Sequence, residues 1–271
     1  MTAPLIPADL DATVVLLRHG ESMAIVERRF QGQLDTPLSP IGRRQAQLAA
    51  ARLAHPHATP ELPVPLGAPL EIVHSPLSRT TQTAQAVAAA AAVDDAFGQR
   101  IRLRPDTGFL EIGQGEWEGR LSSEIDDRWR DILEAWWAHP TETHAPGGES
   151  LADVSARVRA SIPALLAPLA ADGRRDVDHS PVPGSGHGPS RNPWSIVVAH
   201  DGVLKVLLLT LFDLPLERFW LFPFALCGIT IVDIRSGQPR LRAHNLTDHL
   251  APMLEEQALA VSEERERSGA L

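Results

Sequence analysis

Nucleophilic and cationic side chains lie at the ends of three apolar segments. His19 follows residues 13–18, which end in Arg18; Ser75-Pro76-Leu77-Ser78-Arg79 closes residues 70–75; and His200-Asp201-Gly202 follows residues 194–199. Two guanidinium groups can hold a phosphoryl group through charge-assisted hydrogen bonds. An imidazole between them can attack phosphorus, because histidine is partly neutral near its ordinary pKa of about 6.5. These residue types indicate phosphoryl chemistry on a histidine, provided that the fold brings them together.

Cleavage of a phosphate ester also requires a proton donor for the departing oxygen. Glu111, in the loop 109–113, is the candidate for this general acid. Glu116 and Glu118 lie close by in the chain and are the alternatives.

The elements that must position these residues follow from hydrophobic patterning. The three apolar segments are predicted as buried strands, and further strands are predicted near 101–104, 229–234 and 240–244. Helical patterns occupy residues 40–54, 75–93, 122–138, 149–171 and 201–212. Strands that alternate with helices predict an α/β fold, a three-layer sandwich with a mostly parallel central sheet flanked by helices. Ligands of such sheets bind beyond the carboxyl ends of the strands, so the two histidines and two arginines are predicted to meet there.

The chain is predicted to form a single domain over residues 1–250. The helices within about 122–171 are predicted to form a cap on one side of the sheet. Residues 172–193 are rich in Asp, Gly, Pro, Ser and His, and this composition predicts a mobile surface insertion. Residues 251–271 are predicted to be a charged C-terminal tail.

Composition excludes several classes of function. The formal net charge is −9, and no run of basic residues is present to bind a nucleic acid. The single cysteine, Cys227, allows neither an internal disulfide nor a four-cysteine zinc site. The longest uncharged apolar-rich stretch near the end, residues 219–232, is shorter than the roughly 20 residues that span a membrane. The first ten residues lack the basic start of a signal peptide. We therefore expect a cytoplasmic protein that binds neither membranes nor nucleic acids.

The segment Leu16–Ser22 (LLRHGES) is followed in order by five further motifs: residues 30–42, with Gln31-Gly32; residues 75–80 (SPLSRT); residues 110–119, with Glu111; residues 146–150 (PGGES); and residues 197–200 (VVAH). In this order they resemble the histidine phosphatase superfamily, which also contains the cofactor-dependent phosphoglycerate mutases. The resemblance covers roughly residues 13–248 and implies a phosphoglycerate mutase-like fold with a helical cap insertion.

The resemblance implies a role for each matching residue. His19 is expected to be the nucleophile, and Glu111 to protonate the leaving alkoxide and then to activate water. Arg18, Arg79 and His200 are expected to bind the phosphoryl oxygens. The substrate-binding set also includes Gln31, Gly32 and Gly202. No metal and no cofactor are expected, because the arginines and a protonated histidine supply the positive charge.

Two positions depart from the family pattern. The family commonly has Asn where this chain has Ile25, which cannot donate a side-chain hydrogen bond to phosphate. It often has Gly directly after the second histidine, where this chain has Asp201. That carboxylate can either point inward, where it repels phosphate, or cap the following helix; the cap is the preferred interpretation.

The segment 115–119 resembles the phosphatase branch of the superfamily. We therefore expect hydrolysis of small phosphomonoesters, with a small phosphorylated metabolite as the partner. Mutase-type phosphoryl transfer is the first alternative. A phosphate-binding module without turnover is the second. The resemblance leaves a monomer and a homodimer open.

Overall fold

The computed structural model describes residues 4–93, 96–173, 190–253 and 256. The strands in these ranges are β1 (Ala12–Arg18), β2 (Glu71–His74), β3 (Arg102–Pro105), β4 (Trp194–Ala199), β5 (Ile229–Arg235) and β6 (Gln238–Leu246). The α-helices are α1 (Met23–Val26), α2 (Pro40–Ala54), α3 (Ser78–Ala91), α4 (Ser122–Ala138), α5 (Leu151–Ala171) and α6 (Asp201–Leu211).

The strands form one mixed sheet in the order β3-β2-β4-β1-β5-β6. The first four run parallel, and β5 and β6 are antiparallel additions at one edge. Arg18 of β1 pairs with Ala199 of β4, so His19 and His200 leave neighbouring strands at the same level. The predicted α/β sandwich with a mostly parallel sheet is confirmed.

Each face of the sheet carries its own hydrophobic core, because successive side chains of a buried strand point to opposite faces. Val14 and Leu16 of β1 pack with the apolar residues of α5 and α6. Val15 and Leu17 pack on the other face with α2 and α3. These two helical layers hold the carboxyl ends of the parallel strands in fixed positions.

Helix α5 differs from its predicted place in a cap. Its apolar residues from Leu151 to Leu169 belong to the main core against the sheet, because that whole stripe is buried by α6 and the strands. Helix α4 has a separate small cluster, in which Ile125 and Leu133 pack with Trp117 and Ala145. The two helices therefore have different roles, and α5 is part of a sandwich layer.

The start of α3 also differs from the prediction. The helix begins at Ser78, after Leu77 at the N-cap position, whereas the sequence pattern placed its start at Ser75. Asp35 accepts hydrogen bonds from the backbone N–H of Ser78 at 2.6 Å and from its hydroxyl at 2.8 Å, so a distant carboxylate takes over the capping role. This leaves the side chain of Ser75 available for the site.

The predicted insertion at 172–193 and the predicted tail at 251–271 lie largely outside the described residues. None of the helices within the described ranges is both long and apolar enough to cross a membrane.

Candidate active site

His19 lies directly after β1 and is 3% exposed. Its Nδ1 lies 2.6 Å from the carbonyl oxygen of Gly20. A carbonyl oxygen only accepts, so Nδ1 carries the proton and Nε2 carries the lone pair. Burial, followed by the positive charges of Arg79 and Arg18, lowers the pKa of His19 well below its ordinary value. The ring is therefore neutral at pH 7, which is the form that a nucleophile requires.

Arg79 lies at the floor of the site, in the first turn of α3, and is 1% exposed. It donates to the carbonyls of Leu34 at 2.9 Å and Gly32 at 2.8 Å, and its Nε donates to His200 Nδ1 at 3.2 Å. Burial lowers its pKa to about 10, so it remains cationic at neutral pH. Three of its five N–H groups are thus used for positioning, and two remain for a phosphoryl group. Arg18 is anchored by the carbonyl of Phe224 at 2.5 Å.

His200 lies behind Arg79 and is fully buried. Since Nδ1 accepts from Arg79, Nε2 carries the proton and donates to the hydroxyl of Ser75 at 2.9 Å. Burial is also the largest cause that lowers the pKa of His200, followed by the charge of Arg79. The observed contacts make His200 a support for Arg79, while its expected hydrogen bond to a phosphoryl oxygen stays a prediction. The rings of His19 and His200 are 5.0 Å apart between centroids.

Glu111 accepts hydrogen bonds from two backbone N–H groups at the start of α6 and from a third in its own loop. Oε1 accepts from Ile112 at 2.9 Å and from Val203 at 3.1 Å, and Oε2 accepts from Gly202 at 3.2 Å. A Cβ atom at position 202 would lie 2.7 Å from Oε1, which is closer than real contacts allow. Gly202 therefore contributes to the site by giving Glu111 room beside the helix.

The alternative carboxylates have other surroundings. Glu118 Oε1 accepts the backbone N–H groups of Gln33 at 2.8 Å and Gln114 at 2.9 Å, which joins two loops. Glu116 is exposed at the surface. Among these three carboxylates, Glu111 is the one that lines the central cavity.

An ion pair fixes the loop that carries Glu111. Arg157 of α5 donates to the carbonyls of Gly108 and Leu110 at 2.8 Å and of Glu111 at 2.9 Å. Glu149 binds the same guanidinium at 2.9 Å and accepts the backbone N–H of Gly113 at 2.7 Å. The motif at 146–150 thus acts through its carboxylate, which holds both Arg157 and the loop.

Gln31 faces the site with a fixed orientation. Its Oε1 accepts from the hydroxyls of Ser22 at 2.7 Å and Thr36 at 3.1 Å, which leaves its amide N–H groups for a ligand. Gln31 can therefore supply the donor that Ile25 lacks. Gly32 adopts a φ of +49° with Glu118 pressed against it, so a side chain there would be strained and would clash.

The expected helix cap at Asp201 is wrong. His200 takes the N-cap position, and Asp201 Oδ2 binds Lys205 Nζ at 2.6 Å. Its other oxygen accepts the backbone N–H of Phe224 at 3.2 Å. Asp201 nevertheless lines the cavity, and the ion pair with Lys205 offsets the negative charge that would otherwise repel phosphate.

A cavity of about 240 Å³ unites most of the predicted site residues, namely Arg18, His19, Gln31, Gly32, Arg79 and Glu111. His200 and Gly202 do not line this cavity, but they contact Arg79 and Glu111, which do. The sequence analysis missed two residues of its wall, Arg29 and Gln114, and the positioning residue Arg157. Arg29 and Gln114 lie within two and three residues of the predicted Gln31 and Glu111, so sequence proximity was the available signal. No sequence signal pointed to Arg157, because this residue lies on α5 and contacts the Glu111 loop only in the folded structure.

The thiol of Cys227 is fully buried, and burial raises its pKa to about 12. It is therefore unsuited to act as a nucleophile at neutral pH. Within the described residues, no group of three or more His, Cys, Asp or Glu side chains is arranged to hold a metal ion.

The fold and this histidine-arginine site define a class of protein that sequence comparison also finds. The chain belongs to the histidine phosphatase superfamily (branch 1), whose sequence model matches residues 14–172 and 186–247.

Several relatives are named phosphatases. A glucosyl-3-phosphoglycerate phosphatase of Mycobacterium tuberculosis is 34% identical over 209 residues, which cover 76% of this chain and 78% of that protein. Phosphoserine phosphatase 1 of Hydrogenobacter thermophilus is 25% identical over 241 residues, which cover 88% of this chain and 93% of that protein. A solved mycobacterial glucosyl-3-phosphoglycerate phosphatase in complex with VO3 has a TM-score of 0.68 at 30% identity and covers 87% of this chain and 99% of its own. A probable phosphoglycerate mutase of Yersinia pestis is 29% identical over 228 residues, which cover 83% of this chain and 86% of that protein.

Proposed function

We propose that this protein hydrolyses small phosphomonoesters without a metal ion, through a phosphohistidine intermediate on His19. The observation that carries the proposal is the state of His19: a neutral imidazole whose Nδ1 is fixed on a carbonyl, in a cavity that Arg18 and Arg79 also line. That arrangement offers a lone pair and positive charge to the same phosphorus atom.

In the first step, Nε2 of His19 attacks phosphorus while the bond from phosphorus to the leaving oxygen breaks. Arg18 and Arg79 stabilise the negative charge on the phosphoryl oxygens. Glu111, protonated at this stage, gives its proton to the leaving oxygen, so the product departs as an alcohol. Glu111 Oε2 accepts one backbone hydrogen bond and retains a position for that proton.

In the second step, water attacks the phosphorus of phosphohistidine. The carboxylate of Glu111 accepts a proton from this water, and the bond from phosphorus to Nε2 breaks. Inorganic phosphate leaves, His19 is again neutral and Glu111 is again protonated. Arg157 and Glu149 serve both steps, since they keep the Glu111 loop at one distance from the cavity.

The dimensions of the cavity favour a small substrate. Its volume of about 240 Å³ lies below the usual range for larger ligands, which is roughly 300–1,000 Å³. The names of the relatives suggest phosphoserine and phosphorylated glycerate derivatives as the first candidates.

The test is hydrolysis of p-nitrophenyl phosphate in the presence of EDTA by the wild-type protein, by His19→Ala and by His55→Ala. His55 lies on an exposed loop and controls for the loss of an imidazole. We expect activity in the wild type and in His55→Ala, and none in His19→Ala. Activity that survives in His19→Ala, or that EDTA abolishes, contradicts the proposal.

Mutase-type transfer is distinguished by product analysis with 3-phosphoglycerate. Release of inorganic phosphate supports hydrolysis, whereas an isomeric phosphoglycerate with no phosphate released identifies a mutase. Phosphate that raises thermal stability without any turnover identifies a binding module.

A further inference from the structure

A third arginine lies in the wall of the cavity, and the two reaction steps do not use it. Arg29 lines the cavity together with Arg18 and Arg79. Its side chain is 38% exposed, whereas Arg79 is buried at the floor, so Arg29 lies at the mouth. The guanidinium charges that lower the pKa of His19 are those of Arg79 and Arg18, in agreement with a more distant position for Arg29.

The guanidinium of Arg29 is held in place before any ligand arrives. Its Nε donates to Glu27 at 2.9 Å, and its Nη1 donates to the carbonyl of Gly119 at 2.7 Å. The backbone of Arg29 is fixed as well, by a bridge to Leu121 and a hydrogen bond to the carbonyl of Ala24 at 2.8 Å. Because the Arg29 side chain is already anchored, it loses less conformational entropy when a ligand binds.

One edge of this guanidinium is uncommitted. An arginine has five N–H donors, and within the described residues Nη2 has no hydrogen-bond partner. The pair with Glu27 is exposed to solvent and is therefore weak, so it does not cancel the attraction of Arg29 for an anion.

A second polar group at the cavity wall also lacks a partner. The Oε1 atom of Gln114 is buried and, among the described residues, accepts no hydrogen bond. An unpaired buried amide oxygen is unfavourable, and a rotation of the Gln114 side chain toward the cavity would let this oxygen accept from a hydroxyl group of a ligand. The cavity thus offers one anion site and one hydroxyl site in addition to its phosphoryl site.

We propose that Arg29 binds a carboxylate on the leaving group, which makes small phosphorylated hydroxy acids the preferred substrates. The inference rests on the proposed phosphatase function. Two guanidinium groups at the floor match the phosphoryl dianion, so the third can bind one further negative charge on the rest of the molecule. A carboxylate matches the planar guanidinium edge, with which it can form two parallel hydrogen bonds. Gln114 then accepts from a neighbouring hydroxyl.

The experiment compares kcat/KM for 3-phosphoglycerate and glycerol 3-phosphate, which differ by a carboxylate in place of a hydroxymethyl group. We expect the wild type to prefer 3-phosphoglycerate by about tenfold or more, the effect typical of a charge-assisted hydrogen bond. In Arg29→Gln this ratio is expected to fall to near one. The ratio is the readout, since general damage to the site lowers both values together. Arg130→Gln, an exposed arginine paired with Asp126, is the matched control and keeps the wild-type ratio.

A wild-type ratio near one overturns the inference, as does a ratio that Arg29→Gln leaves unchanged. If circular dichroism shows that Arg29→Gln is unfolded, Arg29→Met, which retains the aliphatic stem, replaces it under the same criteria. Failure of the proposed function looks different: the wild type then hydrolyses neither of the two esters nor p-nitrophenyl phosphate.

Discussion

The Gly202→Ala substitution tests whether Glu111 is the general acid, because it displaces the carboxyl group of Glu111 without replacing it. A Cβ atom at position 202 would lie 2.7 Å from Glu111 Oε1 and 2.6 Å from Ile112 Cδ1. Ordinary contact begins at 3.4 Å, so the carboxylate must retreat by about 0.7 Å. The hydrogen bond from Val203 to Oε1, now 3.1 Å, would then exceed the normal range.

The expected loss follows from the proposed role of Glu111 as the general acid. General acid catalysis contributes about 10²–10⁴-fold, and a misplacement of about 1 Å can cost up to about 100-fold. We therefore expect kcat/KM for an alkyl phosphate such as glycerol 3-phosphate to fall by about 10- to 100-fold. The p-nitrophenolate group departs without much help from an acid, so kcat/KM for p-nitrophenyl phosphate is expected to fall less.

The assay measures kcat/KM for both esters in the wild type, in Gly202→Ala and in Gly173→Ala. A Cβ atom at position 173 meets nothing within 4 Å, so this variant controls for the change of residue type. Because alanine favours helix over glycine by about 1 kcal/mol, the propensity of α6 does not suffer, and thermal melts should show a folded protein. Equal losses on both esters, or no loss on the alkyl ester, would refute the assignment of Glu111.

Two further predictions concern stability. The pKa values of His19 and His200 are lowered in the folded protein, so below pH 6.5 the unfolded chain takes up protons that the folded chain does not. Stability is therefore expected to fall with pH by about 1.4 kcal/mol per pH unit for each histidine, from 6.5 down to the folded pKa. Urea unfolding between pH 5 and 7 should show a smaller slope in His19→Gln; identical slopes would contradict the lowered pKa. Second, Asp201→Ala leaves Lys205, which is 5% exposed, without its carboxylate, and should cost about 1–3 kcal/mol. The double variant Asp201→Ala/Lys205→Met should recover most of this loss by urea unfolding, and equal stabilities of the single and double variants would show that the pair has no such role.

The residues at the carboxyl ends of the parallel strands were predictable from sequence, because two local features indicate them: an apolar run and the polar residues that follow it. Apolar runs mark β1, β2 and β4, and parallel strands place whatever follows them at one edge of the sheet. His19 and His200 therefore had to be neighbours once these strands paired, and the structure places their rings 5.0 Å apart. The same motifs predicted membership in the histidine phosphatase superfamily, which the sequence comparison confirms.

Tertiary contacts decided the rest, because they join residues that no local pattern connects. Asp201 has the residue type of a helix cap, yet Lys205 and the backbone of Phe224 hold it as an ion pair in the cavity wall. Arg157 has the residue type of a surface charge on a helix. In the structure it donates to the backbone carbonyl of Glu111, 46 positions earlier in the sequence, and holds that loop in place.

The sequence by itself determined most of the residues that line the central cavity, since apolar segments and the residue types that follow them are local features of the chain. Only the tertiary structure decided the protonation, the contacts and the positions of these side chains. The neutral form of His19 comes from burial between two guanidinium groups. The contact of Glu111 with α6 comes from the absent side chain of Gly202. The place of Arg29 at the mouth of the cavity comes from its anchor on Gly119. Electrostatic environment and close packing depend on distances across the fold, and these distances arise only when the layers assemble.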